Sequence, residues 1–456
     1  MRRHRTNLRY SLRPGSRRNR EQGIVIVLVA AFMLFVIGAM MALSIDVVTF
    51  YTARSEAQLA ADAAALAGAR VLANSGITSD PGGAVATADS LAQNVARRVA
   101  EQNQVAGEYL TVANVPLPVI AGTDLNPTIT VHVQIPDVPT FFARMLGIKS
   151  VKVAASATAE AYNPSAAPGA STNTSPPVAP ICVKPWLLPN LDPTQATGGI
   201  ATIFNRTTGA ITTPGLVGQE WPSPNLALNQ NGLYARCQDC STGITTPPLP
   251  GAYYPGKIDA ADFPAPTQAL PTCSTGFDSY QLAVAGCVQQ PISCGSTATI
   301  NIDVSTTYAT NRDADTVAAA GCLIHYNVPG GAVGDSDSIG TATTTPPFQF
   351  LTGNENPIAS GKDVMVSDSL VTIPVIDYPG GTTPTVPSPG VTVIGFLQVF
   401  LNPSATQALP YSAAGTKSPN EIPATIINMA GCGTSATGTP ILGNGASPVA
   451  VRLITP

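Results

Sequence analysis

A short run of oxygen-bearing side chains is the first candidate for chemistry in this chain. Asp303, Ser305 and Thr307 alternate directly after residues 298–303, whose own alternation of apolar and polar residues predicts a strand. One carboxylate and two hydroxyls at this spacing are the hard oxygen ligands that Mg²⁺ prefers. No alternating pattern of helices and strands follows, and Ser and Thr are common throughout the chain. We therefore expect no metal site.

The chain is also short of groups for catalysis. It has three histidines, of which His325 alone follows residue 180. Neither a Gly-x-Ser-x-Gly turn nor a glycine-rich phosphate loop accompanies it. Asp335 and Asp337 lie in a stretch rich in Gly and Ser, where we expect them to be solvated. The sequence thus predicts no enzyme, no catalytic residue, no cofactor and no small-molecule substrate.

Eight cysteines remain, and all of them follow residue 180. An even number confined to one part of the chain indicates disulfides formed in an oxidising compartment. Cys237 and Cys240 form a C-x-x-C pair without the second pair that a four-thiolate zinc site needs. Eight cysteines allow 105 pairings, and a bond between Cys287 and Cys294 would close a short loop. The candidates for structural disulfides are Cys182, Cys237, Cys240, Cys273, Cys287, Cys294, Cys322 and Cys432.

An uninterrupted run of 22 apolar or small residues, 24–45, follows a basic N-terminus. As a helix it would be about 33 Å long, enough to cross the roughly 30 Å hydrocarbon core of a bilayer. Eight arginines and one glutamate precede it, and arginine resists translocation, so we expect a cytoplasmic N-terminus and a periplasmic or extracellular bulk. A cleaved signal peptide is the alternative, although the run is long for one.

Charge and composition restrict the function classes further. The 456 residues have a net charge of −4, with only 11% charged residues, 40 glycines and 42 prolines. Positive charge is concentrated in the N-terminal tail, and no folded basic surface for nucleic acid is visible. A surface poor in ions and rich in hydroxyls and amides suits an exported, β-rich protein.

Periodicity predicts the elements of the region after the apolar run. Residues 47–73 continue the helix with very high helix propensity, and 84–104 repeat apolar residues every three to four positions. Dense alanines in the first helix allow either packing against the following domain or association with a partner helix, helped by Gly38 and Ala42. Further elements are strands at 109–113, 128–135 and 149–162 and a short helix at 137–146.

The remainder of the chain is predicted to consist of strands separated by loops. No helical period persists beyond a turn or two after residue 181, and the clearest strands are 298–304, 370–376 and 391–400. The fold class is α+β: a single N-terminal transmembrane helix with a long extension, a small α+β domain, and a larger β-rich domain with disulfides. The predicted domains are a basic cytoplasmic tail (1–21), a transmembrane helix (22–46), a helical stalk with an α+β domain (47–162), a Pro-rich linker (163–180) and a β-rich extracytoplasmic domain (181–456).

Several motifs resemble the N-terminal region of TadG-like proteins of the tight-adherence (Flp) pilus-assembly system. They are Arg20-Glu-Gln-Gly23, the apolar run, Ile45-Asp46, Tyr51-x-Ala-Arg54 and Gln58-Leu-Ala-Ala-Asp62-Ala-Ala-Ala-Leu-Ala-Gly68-Ala. The block Thr140-Phe-Phe-Ala-Arg-Met-Leu-Gly-Ile148 and the alanine-rich stretch after it are also similar to that family. The resemblance covers residues 17–162, about a third of the chain.

The resemblance implies a function without chemistry of its own. It implies a component anchored in the bacterial inner membrane that acts by contact with other envelope or pilus-assembly proteins. Other TadG-like chains end in a von Willebrand A module, whose metal site opens with Asp-x-Ser-x-Ser/Thr. A metal-dependent adhesin of that type, built on Asp303, Ser305 and Thr307, is therefore the alternative, although the Gly and Met that usually follow the motif are absent.

Overall fold

The longest element is one helix that runs through the apolar segment and continues beyond it. In the computed structural model of the chain, α1 (Arg18–Asn74) has 57 residues and is about 85 Å long. Its large apolar side chains between residues 24 and 48 are exposed, whereas its alanines from Ala53 onward are largely buried. The predicted continuation of the helix to about residue 73 is confirmed. Within the described residues, α1 is the one helix long and apolar enough to cross a membrane, judged by length and composition.

The structure describes a discontinuous set of residues. They are 18–82, 84–165, 175–194, 201–221, 234–235, 252–264, 266, 270, 272–303, 312–326, 335–340, 346–356, 361, 363–364, 366–377, 390–402, 404, 422–442 and 447–454. Most of the predicted basic tail and the middle of the predicted linker lie outside these residues. So do Cys237, Cys240, Ser305 and Thr307.

The first sheet has four antiparallel strands. In spatial order they are β19 (Ala450–Ile454), β5 (Ser150–Tyr162), β4 (Asn126–Pro139) and β3 (Val119–Thr123). The pairing of Arg452 with Glu160 shows that the chain's last described strand completes a sheet begun near the N-terminus. The second half of α1 and helix α2 (Val85–Glu101) pack with this sheet.

Small side chains let α1, α2 and the sheet approach one another closely. Alanines recur on the buried faces of both helices, and α2 buries one at every fourth position from Ala88 to Ala100. Gly68 marks the closest contact: a Cβ there would lie 2.6 Å from Cδ1 of Ile129 and 3.2 Å from Cβ of Ala96. The dense alanines of α1 therefore pack within the chain. After α2, strands β1 (Gln104–Val105) and β2 (Glu108–Tyr109) form a short hairpin.

The second sheet lies in the β-rich region and has eight strands. In spatial order seven of them are β8 (Glu220–Trp221), β17 (Ala424–Gly431), β16 (Val391–Leu401), β15 (Leu370–Ile376), β7 (Trp186–Pro189), β10 (Ala252–Pro255) and β9 (Tyr234–Ala235), and β11 (Thr299–Ile300) pairs with β16. Strands β15 and β17 are buried along their whole length. Leu397 and Phe396 point into hydrophobic clusters on opposite faces of β16, which explains its nearly continuous apolar sequence.

Smaller elements surround this sheet. They are helices α3 (Ser279–Ala285) and α4 (Arg312–Leu323) and strands β6 (Val178–Ala179), β12 (Ser338–Ile339), β13 (Phe350–Leu351), β14 (Asp363–Val364) and β18 (Ile441–Leu442). The prediction that no helical period persists beyond a turn or two after residue 181 is wrong for α4, which has 12 residues. The α+β fold class is confirmed.

A buried polar junction joins the two regions where α1 ends. The Nδ2 group of Asn163 donates to the carbonyl oxygens of Thr78, at 2.9 Å, and Met429, at 2.8 Å. Ser79 Oγ accepts a hydrogen bond from the Met429 amide at 2.8 Å, and Asn428 Nδ2 donates to the carbonyl of Ala73. Strand β17 is therefore held directly against the turn that follows α1.

Candidate functional site

A buried carboxylate lies where the apolar run of α1 ends. Asp46 is only 1% exposed, although the helix around it exposes its large apolar side chains. Its carboxylate accepts three backbone hydrogen bonds, from the amides of Phe141 at 2.9 Å, Phe142 at 3.0 Å and Ala143 at 2.6 Å. Charge-assisted hydrogen bonds of this kind are roughly twice as strong as neutral ones. Asp46 therefore fixes the segment between β4 and β5 against α1.

We call residues 140–149, between β4 and β5, the membrane-side loop, a name that refers only to their position beside the apolar run of α1. Its centre is a 3₁₀ turn, Ala143–Leu146, closed by Gly147 with a left-handed φ of 91°. The amide of Thr140 donates to the carbonyl of Lys149 at 3.2 Å, and the amide of Ile148 donates to that of Ala143 at 3.2 Å. Backbone hydrogen bonds therefore close the loop, and Asp46 fixes it to α1. The predicted helix at 137–146 is thus wrong in its first part, since β4 extends to Pro139.

A wide apolar groove separates the loop from the helix. Its volume is about 340 Å³, and it lies between Gly38 and Ala42 of α1 and Phe142 and Met145 of the loop. The small side chains of α1 leave this space open, since a Cβ at Gly38 would meet no atom within 4 Å. The outer side of the loop is apolar as well, with Phe141 64% and Met145 86% exposed.

The oxygen-bearing run that could hold Mg²⁺ is only partly described. Asp303 is partly buried, and its amide donates to the carbonyl of Pro255 at 2.8 Å. Ser305 and Thr307 lie outside the described residues. In the part of the chain that the structure describes, no three His, Cys, Asp or Glu side chains are grouped so that they could hold a metal ion.

The two aspartates near β12 are buried. The expectation that Asp335 and Asp337 are solvated is wrong: they are 8% and 5% exposed. The carboxylate of Asp337 accepts hydrogen bonds from the amide of Gly353 at 2.9 Å and from Ser367 Oγ at 2.6 Å. These bonds connect β12 with the segments that follow β13 and β14. The geometry assigns Asp337 a structural role.

His325 forms a partly exposed ion pair directly after α4. Its Nε2 lies 2.9 Å from Oδ2 of Asp368. The hydrogen bond to this carboxylate raises the pKa of His325 above its ordinary value, against the opposing effect of partial burial. The pair connects the end of α4 with the residues before β15.

Lys184 is the one lysine among the described residues whose pKa is strongly shifted. Complete burial lowers it to about 7. The Nζ group donates to the carbonyl oxygens of Val284 at 2.7 Å and Gly286 at 2.6 Å. Both carbonyls lie at the C-terminal end of α3, where backbone acceptors have no partner within the helix. Lys184 therefore serves as a buried cap of α3.

Six of the eight candidate cysteines lie in three pairs within disulfide distance. The pairs are Cys182–Cys287, Cys273–Cys322 and Cys294–Cys432, with Cα–Cα distances of 4.3, 5.7 and 5.9 Å. All three lie in the region predicted to contain disulfides. Cys287 and Cys294 bond to different partners, so no disulfide closes the short loop between them.

Comparison with known proteins identifies the region that carries the membrane-side loop. Residues 23–71 match a family model of Flp pilus-assembly TadE/G-like proteins. Residues 49–159 match a second model, Tad-like Flp pilus-assembly. The N-terminal region is TadG-like. No curated protein and no solved structure matches the chain.

The TadG-like region contains both partners of the Asp46 contact. The two matched segments together run from Gly23 to residue 159 and thus include most of α1, the membrane-side loop and most of β5. With the apolar helix, they support a pilus-assembly component. Sequence reasoning quoted Ile45-Asp46 and the block from Thr140 to Ile148 as separate motifs and did not connect them. A carboxylate placed directly after an apolar run was the available signal, because such a group needs nearby donors.

Proposed function

We propose that this protein is a membrane-anchored, extracytoplasmic component of a Flp/Tad-type pilus-assembly system that acts by protein–protein contact. The observation that carries the proposal is the continuity of α1. Its first half is an exposed apolar helix, and its second half is part of the hydrophobic core of the TadG-like domain. A motion of the span in the bilayer is therefore transmitted to the folded domain without an intervening flexible segment.

Charge and cysteine chemistry support the orientation. Eight arginines precede the apolar run, and the three cysteine pairs all lie beyond it. Disulfides persist in oxidising compartments such as the bacterial periplasm, whereas the cytoplasm keeps thiols reduced. In this orientation residues 1–21 are cytoplasmic, the inner membrane holds 22–46, and the remainder lies in the periplasm or outside the cell.

Protein contact is the proposed mode of action, and we propose no catalysis. Three described groups could suggest a chemical site, but each is bonded to a neighbouring segment of the fold: Lys184, His325 and Asp337. The matched families are described as pilus-assembly proteins, which suits an assembly role. The partners are other envelope or pilus-assembly proteins.

A comparison of three forms of the protein tests the proposal in a strain that lacks the gene. The first is the parent chain, the second has residues 24–45 replaced by an unrelated Leu/Ala span, and the third has residues 1–45 replaced by a cleavable signal peptide. Pili are counted by electron microscopy, and immunoblots check that all three ectodomains accumulate equally. We expect the first two forms to restore pili and the third to fail. Full restoration by the cleaved form would refute the need for anchoring, and normal pili without the gene would refute the assembly role.

Protease treatment of spheroplasts tests the orientation separately. With the bulk of the chain outside the inner membrane, the protease should remove the ectodomain of the parent protein. A full-length product that survives while periplasmic control proteins are cut would show that the proposed orientation is wrong.

A further inference from the structure

The membrane-side loop lies beside the part of α1 that is proposed to be in the bilayer. Asp46 holds the loop, and the groove extends along α1 from Ala42 back to Gly38. These positions are four and eight residues before Asp46, about 6 and 12 Å along the helix axis. The loop therefore does not rise away from the apolar run but overlaps its last two turns. Interfacial segments that insert into a bilayer reach a similar depth, about 5–10 Å.

The exposed surface of the loop has the composition of a lipid-facing surface. Phe141, Met145 and Ile148 are exposed, with Met145 at 86%. Met145 lies across the groove from Phe35 and Leu43 of α1, which are also exposed. Isolated exposed apolar residues are common, but a continuous patch of them indicates an interface.

Most backbone amides of the loop have the hydrogen-bond partners that entry into lipid requires. A polar backbone group without a partner costs several kcal/mol in hydrocarbon, so irregular segments are excluded unless they are satisfied by the protein. Here Asp46 accepts the amides of residues 141–143. The amides of Met145, Gly147 and Ile148 donate to carbonyls within the loop at 3.0–3.2 Å. Asp46 itself is satisfied by these donors and needs no water.

Charge around the loop is complementary to phospholipid headgroups. Arg144, Lys149 and Lys152 are exposed at and just after the apolar tip, and Asp137 is the one acidic residue between 137 and 152. Basic residues next to an inserted apolar segment attract the anionic phosphates of the surface. A soluble protein partner would not require basic residues around an apolar tip that lies beside the last two turns of the apolar run.

We propose that the membrane-side loop is a second membrane-contacting element, inserted into the ectodomain-side leaflet of the same bilayer that α1 spans. Phospholipid acyl chains fill the groove between Phe142, Met145 and α1, and Asp46 positions the loop for this contact. The inference rests on the proposed anchoring by α1. It means that the TadG-like domain lies directly on the membrane surface, with its orientation fixed by two contacts.

Site-specific fluorescence of the full chain in vesicles tests the inference. The disulfide-intact protein carries one added cysteine, Met145→Cys, labelled with the fluorophore NBD, with the labelled parent as a blank. The vesicles contain phosphatidylcholine and phosphatidylglycerol, with or without lipids that bear a nitroxide on the acyl chain. Ile37→Cys in α1 reports on anchoring. Tyr109→Cys reports on a site remote from lipid, because the neighbouring amide of Ala106 bonds to Glu56, ten residues beyond Asp46.

The inference predicts that nitroxide lipid quenches the labels at Met145 and Ile37 to a similar extent and the label at Tyr109 several-fold less. Quenching at Ile37 without quenching at Met145 would overturn the inference and leave the anchoring proposal standing. No quenching at any position would refute the anchoring itself. Ile148→Cys is a second loop position in case Met145→Cys folds poorly. Protection of both loop labels from lipid and from aqueous iodide would show that protein covers the loop, which also overturns the inference.

Discussion

The TadG-like region and the β-rich region of this molecule build their cores by different means. Around α1 and α2 the buried residues are largely alanines, and backbones approach closely at Gly68. In the β-rich region the core contains large side chains such as Trp186, Tyr253 and Phe400. The three cysteine pairs all lie in the second region.

The chain has few charged residues, so each region must be stabilised by other means. One continuous helix with high helix propensity orders much of the TadG-like region locally. The region therefore loses less conformational entropy when it forms long-range contacts. The β-rich region pairs strands that are far apart in sequence and has long connections between them. Cross-links reduce the entropy of such an unfolded chain. The regions should therefore respond differently to loss of disulfides and to loss of close helix packing.

Removal of a cross-link is the change with the largest expected effect. The pair Cys294–Cys432 spans 138 residues, for which chain entropy gives about 5 kcal/mol of stabilisation. We expect the double variant Cys294→Ala/Cys432→Ala to lose about this much free energy of unfolding in the β-rich region. Hydrogen exchange should detect the loss in β16 and β17 and much less in α2 and β4. Equal loss of protection in both regions would contradict the comparison.

Overpacking the alanine-rich core is the second change. In Gly68→Leu the new side chain meets Ile129 and Ala96 at distances that require both neighbours to move. We expect a destabilisation of about 3 kcal/mol, measured by hydrogen exchange of α2 amides. Gly38→Leu is the matched control on the same helix, because a Cβ there meets nothing within 4 Å. A similar loss in the two variants would show that close packing at Gly68 does not decide the effect.

The third change removes the Asp46 contact within the TadG-like region. Asp46→Ala leaves the amides of residues 141–143 without their acceptor, at a cost of about 2 kcal/mol. Local opening should then become about 10- to 100-fold more frequent, which trypsin detects as faster cleavage after the exposed Arg144. Asp46→Asn keeps one acceptor oxygen and should have a smaller effect.

Glu56→Ala is the control for that measurement. Glu56 also lies on α1, and its carboxylate accepts a backbone amide, that of Ala106 at 2.8 Å, but the contact is exposed and remote from the loop. Its removal should leave the rate of cleavage at Arg144 unchanged. If both variants accelerate cleavage equally, Asp46 has no special role in positioning the loop.

Local periodicity was enough to predict much of the TadG-like region. The prediction of a helix at 84–104 corresponds to α2, Val85–Glu101, and the strand at 149–162 corresponds to β5 within one residue. In the β-rich region the strands at 370–376 and 391–400 are confirmed as β15 and β16. These elements bury a regular face or a continuous apolar run, so their sequence alone carries the signal.

Elements that depend on distant partners were not predicted. Strand β19 is short and half exposed, and it is defined by pairing with β5 almost 300 residues earlier. Strand β17 contains Asn428, whose burial is possible only because the end of α1 supplies hydrogen-bond partners. The Asp46 contact was missed for the same reason, since its donors lie 95–97 residues away. A period in the sequence cannot report on such contacts.

The smallest expected effect concerns pH and the pair His325–Asp368 in the β-rich region. The bond to Asp368 raises the pKa of His325 in the folded protein above the unfolded value of about 6.5. A raised pKa stabilises the fold fully below that unfolded value, and the contribution is lost as the pH rises through the folded pKa. Removal of the partner should therefore destabilise the protein in acid and have no effect in alkali.

Asp368→Asn tests this expectation, because it removes the charge of the partner and leaves the left-handed backbone at His325 unchanged. Since Asp368 is 62% exposed, solvent screening should limit the loss to about 0.5 kcal/mol at pH 5.5, with no difference from the parent at pH 9. Denaturant unfolding measures both values, and NMR of the His325 ring should show its pKa moving down. An equal loss at both pH values would mean that Asp368 acts through packing alone. The substitution touches neither a cross-link nor a close helix contact. The hydrogen-exchange protection of α2 and β4 should therefore stay at the parent level.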